Sequence, residues 1–316
     1  MTPRFKIEPR VADWLLEENE PSVRYRTLTE LLDENPEAPE VRAAKAGIPE
    51  SKSVRKIFSK MHPDGYWEFK GLGAGVSYVD FVTTHFNLAF LAELGMDRED
   101  PRVALAAERY LGLAKPNGDY GRHMSCLYAY NLRTFTLLGY RDDPRVAKTV
   151  ELMLGTSRPD GGYLCDTHEG KYKTRPAKSC INGSCKALMA FAELPELWGH
   201  PRCKQLVDYY LRRGGIFRSD EPGTPANRTS DLTVFPPHWR SNLLETAYAL
   251  AVMGHGDRPE LAGMWEKLES KRDADSRFVL DWDPPRSYFK TGKRGRANKW
   301  VTLYACLALK HRDREV

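Results

Sequence analysis

The 316 residues include no apolar run long enough to span a bilayer, and the first ten, Met1 to Arg10, are polar where a secretion signal would be apolar. A cytoplasmic protein without a membrane span is the expectation. Six cysteines are too few for a disulfide scaffold in a chain of this size. The formal net charge of +5 is small, so no strong field draws the whole molecule toward nucleic acid. Its basic character crowds one late segment, with Arg286, Lys290, Lys293, Arg294, Arg296 and Lys299. No aromatic-interleaved or groove-reading motif accompanies that run, which leaves a solvated loop or a phosphate-binding edge and argues against nucleic acid as a partner. Disorder is not indicated, because 41% hydrophobic and 29% charged residues are ordinary for a folded chain.

What the chain does have is a repeat. Asp160-Gly161-Gly162-Tyr163 forms a glycine turn between an amphipathic stretch opened by Asp143-Pro144-Arg145-Val146 and an apolar stretch from Cys180 to Leu194. Weaker copies of the turn occur at Asp64-Gly65-Tyr66, Asn117-Gly118-Asp119-Tyr120 and Gly214-Gly215-Ile216, and the Pro-Arg opening recurs at Pro9, Pro101 and Pro201. Apolar helices are expected to start near Ser22, Tyr78, Met124, Cys180, Trp239 and Asn298, each with an amphipathic partner. A period of about 45 to 60 residues points to a solenoid or a closed ring. The last apolar helix, Asn298 to Lys310, has no partner after it, whereas the helix from Pro9 to Glu18 has none before it. Pairing the two closes a ring. The expected fold is therefore all-α, an (α/α)6 toroid of six inner and six outer helices closed by the N-terminal helix and filling residues 1 to 316 as one domain. All inner N-termini then face one mouth, where unpaired N–H groups and helix dipoles favour anions.

With its turn and Asp-Pro-Arg-Val order, the repeat resembles the α/α-toroid proteins of the squalene cyclase and protein prenyltransferase superfamily over nearly the whole chain. Asp160-Gly161-Gly162-Tyr163 stands where their repeat ends in Asp-Gly-Gly-Trp. The resemblance implies a terpene cyclase- or prenyltransferase-like enzyme acting on an apolar, anionic, isoprenoid-like small molecule in the central cavity. The Asp-x-Asp-Asp acid of the cyclases is missing, and Asp281-Trp282-Asp283-Pro284 is an imperfect substitute. The alternative is a non-catalytic, zinc-stabilised toroid that binds a ligand or protein partner.

Cys126, Cys165 and Cys180 fall at adjacent helix starts and turns on the expected mouth. With His168, which follows Cys165 at C-x2-H spacing, they could complete a tetrahedral zinc site; His85 and His123 compete for the fourth place. Three buried thiols without metal are the alternative, since cysteine is a common core residue. Zinc would echo the prenyltransferases and the lanthionine cyclases, in which it activates a thiolate, but a three-cysteine site is a poorer Lewis acid and fits a structural role as well. Asp80 and His85 are the candidate catalytic acid and base. Arg240, Arg296 and Lys299, with His238 nearby, are candidates for holding a phosphate or carboxylate.

Overall fold

The computed structural model describes residues 5–68, 81–121, 123–166 and 178–313, and among them it holds helices and isolated bridges but no strand. The helices are α1 Pro9–Leu15, α2 Pro21–Arg26 continued by a π turn Thr27–Leu31, α3 Pro39–Gly47, α4 Lys52–Phe58, α5 Thr84–Glu93, α6 Pro101–Leu111 and α7 Ser125–Leu137. They continue as α8 Pro144–Gly155, α9 Ile181–Ala192, α10 Pro201–Leu211, α11 Leu243–Val252, α12 Ala262–Glu269 and α13 Lys299–Arg312. Inside, α5 packs on α7, α7 on α9, α9 on α11, α11 on α13, and α13 on α2 and its π turn. Arg26 and Glu93 bridge α2 and α5 with an ion pair at 3.5 Å. Outside, α3 covers α2, α8 covers α7, α10 covers α9 and α12 covers α11, while α4 and α6 both lie against α5.

Proline at the first helical position and an aspartate just before it explain why α6 and α8 begin where they do. Asp100 Oδ1 accepts from the Arg102 N–H at 2.9 Å and Asp143 Oδ1 from the Arg145 N–H at 2.8 Å. His200 Nδ1 takes the same place at 3.1 Å from the Arg202 N–H. The arginine after the proline has its own task. Arg202 donates to the carbonyls of Thr156, Gly161 and Gly162, at 2.6, 2.9 and 2.9 Å, and lies 4.0 Å from the Tyr163 ring centre. It thereby clamps the preceding glycine turn.

The turns need glycine for room as well as for backbone freedom. Gly118 and Gly161 have φ of +84° and +81°, and an added Cβ would sit 2.3 Å from the Lys148 carbonyl oxygen or 2.5 Å from that of Gln205. Each turn is pressed against the outer helix that follows it.

The ring closes as the ends of the chain suggest. Helix α1 packs on α13, burying Val11 and Leu15, and Lys299 Nζ donates at 2.8 Å to both Glu17 and Asn19. Lys310 Nζ donates to the carbonyls of Glu30 and Leu31 at 2.9 and 3.1 Å, capping the end of the π turn. Two apolar side chains at about 1.5–3 kcal/mol each make α1 worth several kcal/mol to the ring.

Several boundaries differ from the sequence pattern. The Pro-, Glu- and Ala-rich stretch after α2 holds α3, whose Val41 and Ala44 cover Leu28. Helix α2 starts at Pro21, next to the expected Ser22, whose hydroxyl has no hydrogen-bond partner among the described residues. Helix α11 starts at Leu243 rather than Trp239 because Asn242 Oδ1 accepts from the Glu245 N–H at 3.0 Å and ends an extended loop there. The start expected for the second inner helix at Tyr78 lies outside the described residues, and α5 is described from Thr84.

Candidate functional site

The inner helices run parallel, so their N-termini share one mouth, and the longest connections, 212–242 and 270–298, lie at that end. The loop before α11 enters it. Thr233 ties this loop to Asp281, with its N–H donating at 2.9 Å, and Tyr130 Oη on α7 donates to the Pro237 carbonyl at 2.9 Å. Between these ties stands His238, fully buried, its ring 4.7 Å from Trp282 and 6.0 Å from Phe81, centre to centre. Neither ring nitrogen has a hydrogen-bond partner among the described residues. Burial, reinforced by the charges of Lys186 and Arg240, holds this imidazole neutral far below its ordinary range.

His85, in the first turn of α5, points into the same region, with its ring 4.8 Å from Tyr130. Its Nδ1 is 2.7 Å from Asn131 Oδ1, while Asn131 Nδ2 donates to Tyr110 Oη at 3.4 Å. That arrangement assigns the proton to Nδ1. Burial lowers His85 to about 4, against the favourable effect of the Asn131 bond. Deeper in the ring, Lys186 on α9 donates to both oxygens of Glu245 on α11 at 2.5 Å, and Asn242 Nδ2 donates to Glu245 at 2.6 Å. The pocket edged by Tyr130, Lys186, Pro237 and Glu245 has a volume of about 10 Å³, room for one water at most.

Two of the expected metal ligands meet. Cys126, in the first turn of α7, and Cys165, just after the Asp160 turn, place their sulfurs 3.7 Å apart, and Ser125 Oγ is 3.4 Å from Cys165. Hydrogen bonding from Cys126 and then Ser125 outweighs burial and lowers the Cys165 thiol to about 5. Cys180 caps α9 close by; burial, and then the charge of Cys165, push it up. Asp160 fixes that cap by accepting from the Ser179 N–H at 3.0 Å. His168 and Asp80 lie outside the described residues. Among the described residues, no three His, Cys, Asp or Glu side chains are grouped to hold a metal.

The three expected anion-binding residues share no contact among the described residues. Lys299 is spent on Glu17 and Asn19, and Arg296 stands exposed. Arg240 is half-buried, stacked 4.4 Å over the Trp239 ring, and makes no ion pair with any described residue. Burial, with Arg228 as a like-charged neighbour, lowers its pKa.

Periodicity alone passes over the charges inside the apolar helices. At the C-terminal mouth Arg133 of α7 pairs with Glu93 of α5, bonds Glu193 at 3.1 Å and donates to Tyr304 of α13 at 3.1 Å. Arg26 is bidentate to Glu30 at 2.6 and 2.8 Å and reaches Glu93. Arg26, Glu30, Glu93, Arg133 and Glu193 edge a pocket of about 260 Å³. Burial works to raise Glu93, but Arg133 and Arg26 outweigh it and hold it low, whereas burial wins at Glu193 and raises it. The signal in the sequence is a single charge inside an otherwise apolar helix, as at Arg133, Lys186 and Glu245.

No family model and no curated protein matches the sequence. Among solved structures, a family 88 glycosyl hydrolase from Bacteroides vulgatus is similar at TM-score 0.53 and 13% identity, covering 94% of this chain and 91% of its own. A polysaccharide lyase is similar at TM-score 0.51 and 14% identity, covering 96% of this chain and 89% of its own. A type II terpene cyclase, MstE from Scytonema, aligns more loosely, at TM-score 0.35 and 11% identity over 85% of this chain and 97% of its own. With an inner layer of helices, an outer layer over it, ring closure by α1 and these two nearer likenesses over most of its length, the chain folds as an α/α toroid.

Proposed function

We propose that this toroid is an enzyme of proton transfer acting on an acidic saccharide at the N-terminal mouth, with His238 as base and Arg240 as carboxylate holder. The reading is carried by His238, a buried imidazole whose two nitrogens find no partner among the described residues. A buried polar group left unpaired is costly unless a guest supplies the bond. A neutral imidazole carries the lone pair that a base needs, and His85, with its proton held on Nδ1 by Asn131, keeps its other nitrogen as an acceptor too. Arg240, with no carboxylate among the described residues and held over Trp239, suits the carboxylate of a uronate. Neutralising that carboxylate lowers the cost of removing the proton beside it. His238 would take the proton α to the carboxylate, the electron pair would form the ring double bond, and the leaving oxygen would depart with a proton from water. The two nearer fold relatives, a glycosyl hydrolase and a polysaccharide lyase, are named for action on saccharides, and the anionic group is the one expected from the sequence.

The test is incubation with uronate-containing polysaccharides, following the ultraviolet absorbance of an unsaturated product. His238→Gln is expected to lower kcat/KM by about 10²–10⁴ with the melting temperature held. Absence of product from every uronate, together with heat of binding from an isoprenoid diphosphate that Arg240→Ala removes, would replace this reading with the isoprenoid one.

A further inference from the structure

All six cysteines are thiols, and four of them are differently placed from the other two: Cys185, Cys203 and Cys306 lie inside α9, α10 and α13, and Cys180 caps α9. Cys126 and Cys165 differ because their sulfurs already touch at 3.7 Å. Each is held by its own element. Cys126 belongs to the first turn of α7. Cys165 sits in an extended segment pinned at Tyr163, whose N–H donates to Ser184 Oγ at 2.9 Å, whose carbonyl accepts from the Cys180 N–H at 2.7 Å and whose hydroxyl reaches the Met153 carbonyl at 2.8 Å. One residue beyond Cys165, the Asp166 N–H donates to the His123 carbonyl at 3.3 Å. The contact is therefore built by the fold from residues 39 apart in sequence, not by a chance rotamer of a loose loop.

We infer that Cys126 and Cys165 are a reversible dithiol–disulfide pair that staples the segment after the Asp160 turn to α7 at the mouth. Closing the bond brings the sulfurs from 3.7 Å to about 2.05 Å, a shift that side-chain rotation and a small movement of the segment can supply. Both thiols are almost fully buried, so the oxidant must be small, and hydrogen peroxide meets that need. One thiol attacks the peroxide oxygen, giving a sulfenic acid and water. The second thiol attacks that sulfur, forming the S–S bond and releasing a second water. Two thiols are oxidised and one peroxide is reduced; a small dithiol reverses the step by exchange.

The experiment uses the full chain, purified with reductant that is then removed, treated with hydrogen peroxide, and alkylated after unfolding in denaturant. Intact mass should show alkylated cysteines falling from six to four. Peptide mapping should place the crosslink between Cys126 and Cys165, and dithiothreitol should restore all six. In Cys126→Ser the crosslink should vanish and dimedone should trap a sulfenic acid on Cys165. The wild-type map decides the matter even where that variant fails to fold. Six alkylated cysteines after peroxide would overturn the proposal, as would a crosslink from Cys165 to Cys180. So would one zinc per chain in the untreated protein that Cys126→Ser removes, which would return the pair to the metal site.

Discussion

At the C-terminal mouth of the ring, Arg26 and Arg133 are each paired with at least two acceptors and Glu93 receives both of them. At the N-terminal mouth, His238 has two nitrogens with no partner among the described residues, and Arg240 lies on an indole with no carboxylate among them. Both mouths are polar, but only one has satisfied its polarity internally. A charge matched on all sides inside a low-dielectric ring fixes helices in place and has little left with which to engage a ligand. A neutral, unmatched group is available for one. The difference separates what positions the barrel from what can act in it.

Removing Arg133 should give the largest effect on stability. Arg133→Met leaves Glu93 and Glu193 facing each other without their shared cation, and urea unfolding should show a loss of about 3–5 kcal/mol. If kcat/KM on the substrate found for the wild type falls as far as in His238→Gln, the two mouths are not divided as described.

Next comes His85. Its pKa falls from 6.5 to about 4 on folding, so the native state excludes a proton that the unfolded chain accepts. Its contribution to stability is complete above about pH 6.5, declines as pH falls toward 4, and levels off below that. Each pH unit between those two values is worth about 1.36 kcal/mol, which makes the loss about 3 kcal/mol. Unfolding free energies measured across that window should slope by one proton less in His85→Gln than in the wild type. Equal slopes would mean that the ring is reached by water and that the mouth is not dry.

Smaller effects follow. Arg240→Ala should lower kcat/KM about tenfold or more, with kcat falling as well as KM rising, because a charge-assisted contact of about 1.5–3 kcal/mol is lost and the charge that builds as the proton leaves is no longer neutralised. Asp143→Ala removes the cap of an outer helix and should cost about 1 kcal/mol by thermal unfolding, with activity unchanged.

The ring could be read from the sequence because its determinants are local. Proline fixes the first turn of α1, α3, α6, α8 and α10, Asp100 and Asp143 cap two of these helices, and the turn glycines have no substitute at their φ and spacing. Ring closure followed from one unpaired helix at each end. Helix α3 was less legible, since its Pro-Glu-rich opening looks like a connection until Val41 and Ala44 meet Leu28. The Cys126–Cys165 contact was visible as two thiols on neighbouring units at one mouth. The Arg133–Glu93–Tyr304 set was not, because its members are spread over three helices with no spacing to link them, and each alone is one polar residue in an apolar stretch. His238 could be named from its place before an inner helix, but its lack of partners depends on where Trp282 and Phe81 arrive from elsewhere in the chain.

The seat of α1 on α13 also dictates an order of events on the ribosome. Val11 and Leu15 emerge early, yet the surface that covers them belongs to residues 299–312. While residues 16–298 are made, the nascent chain therefore holds out an amphipathic helix with nothing to dock on, and the units between fold against their sequence neighbours. Chaperone contacts should concentrate on α1 and end once residues 299–312 have emerged.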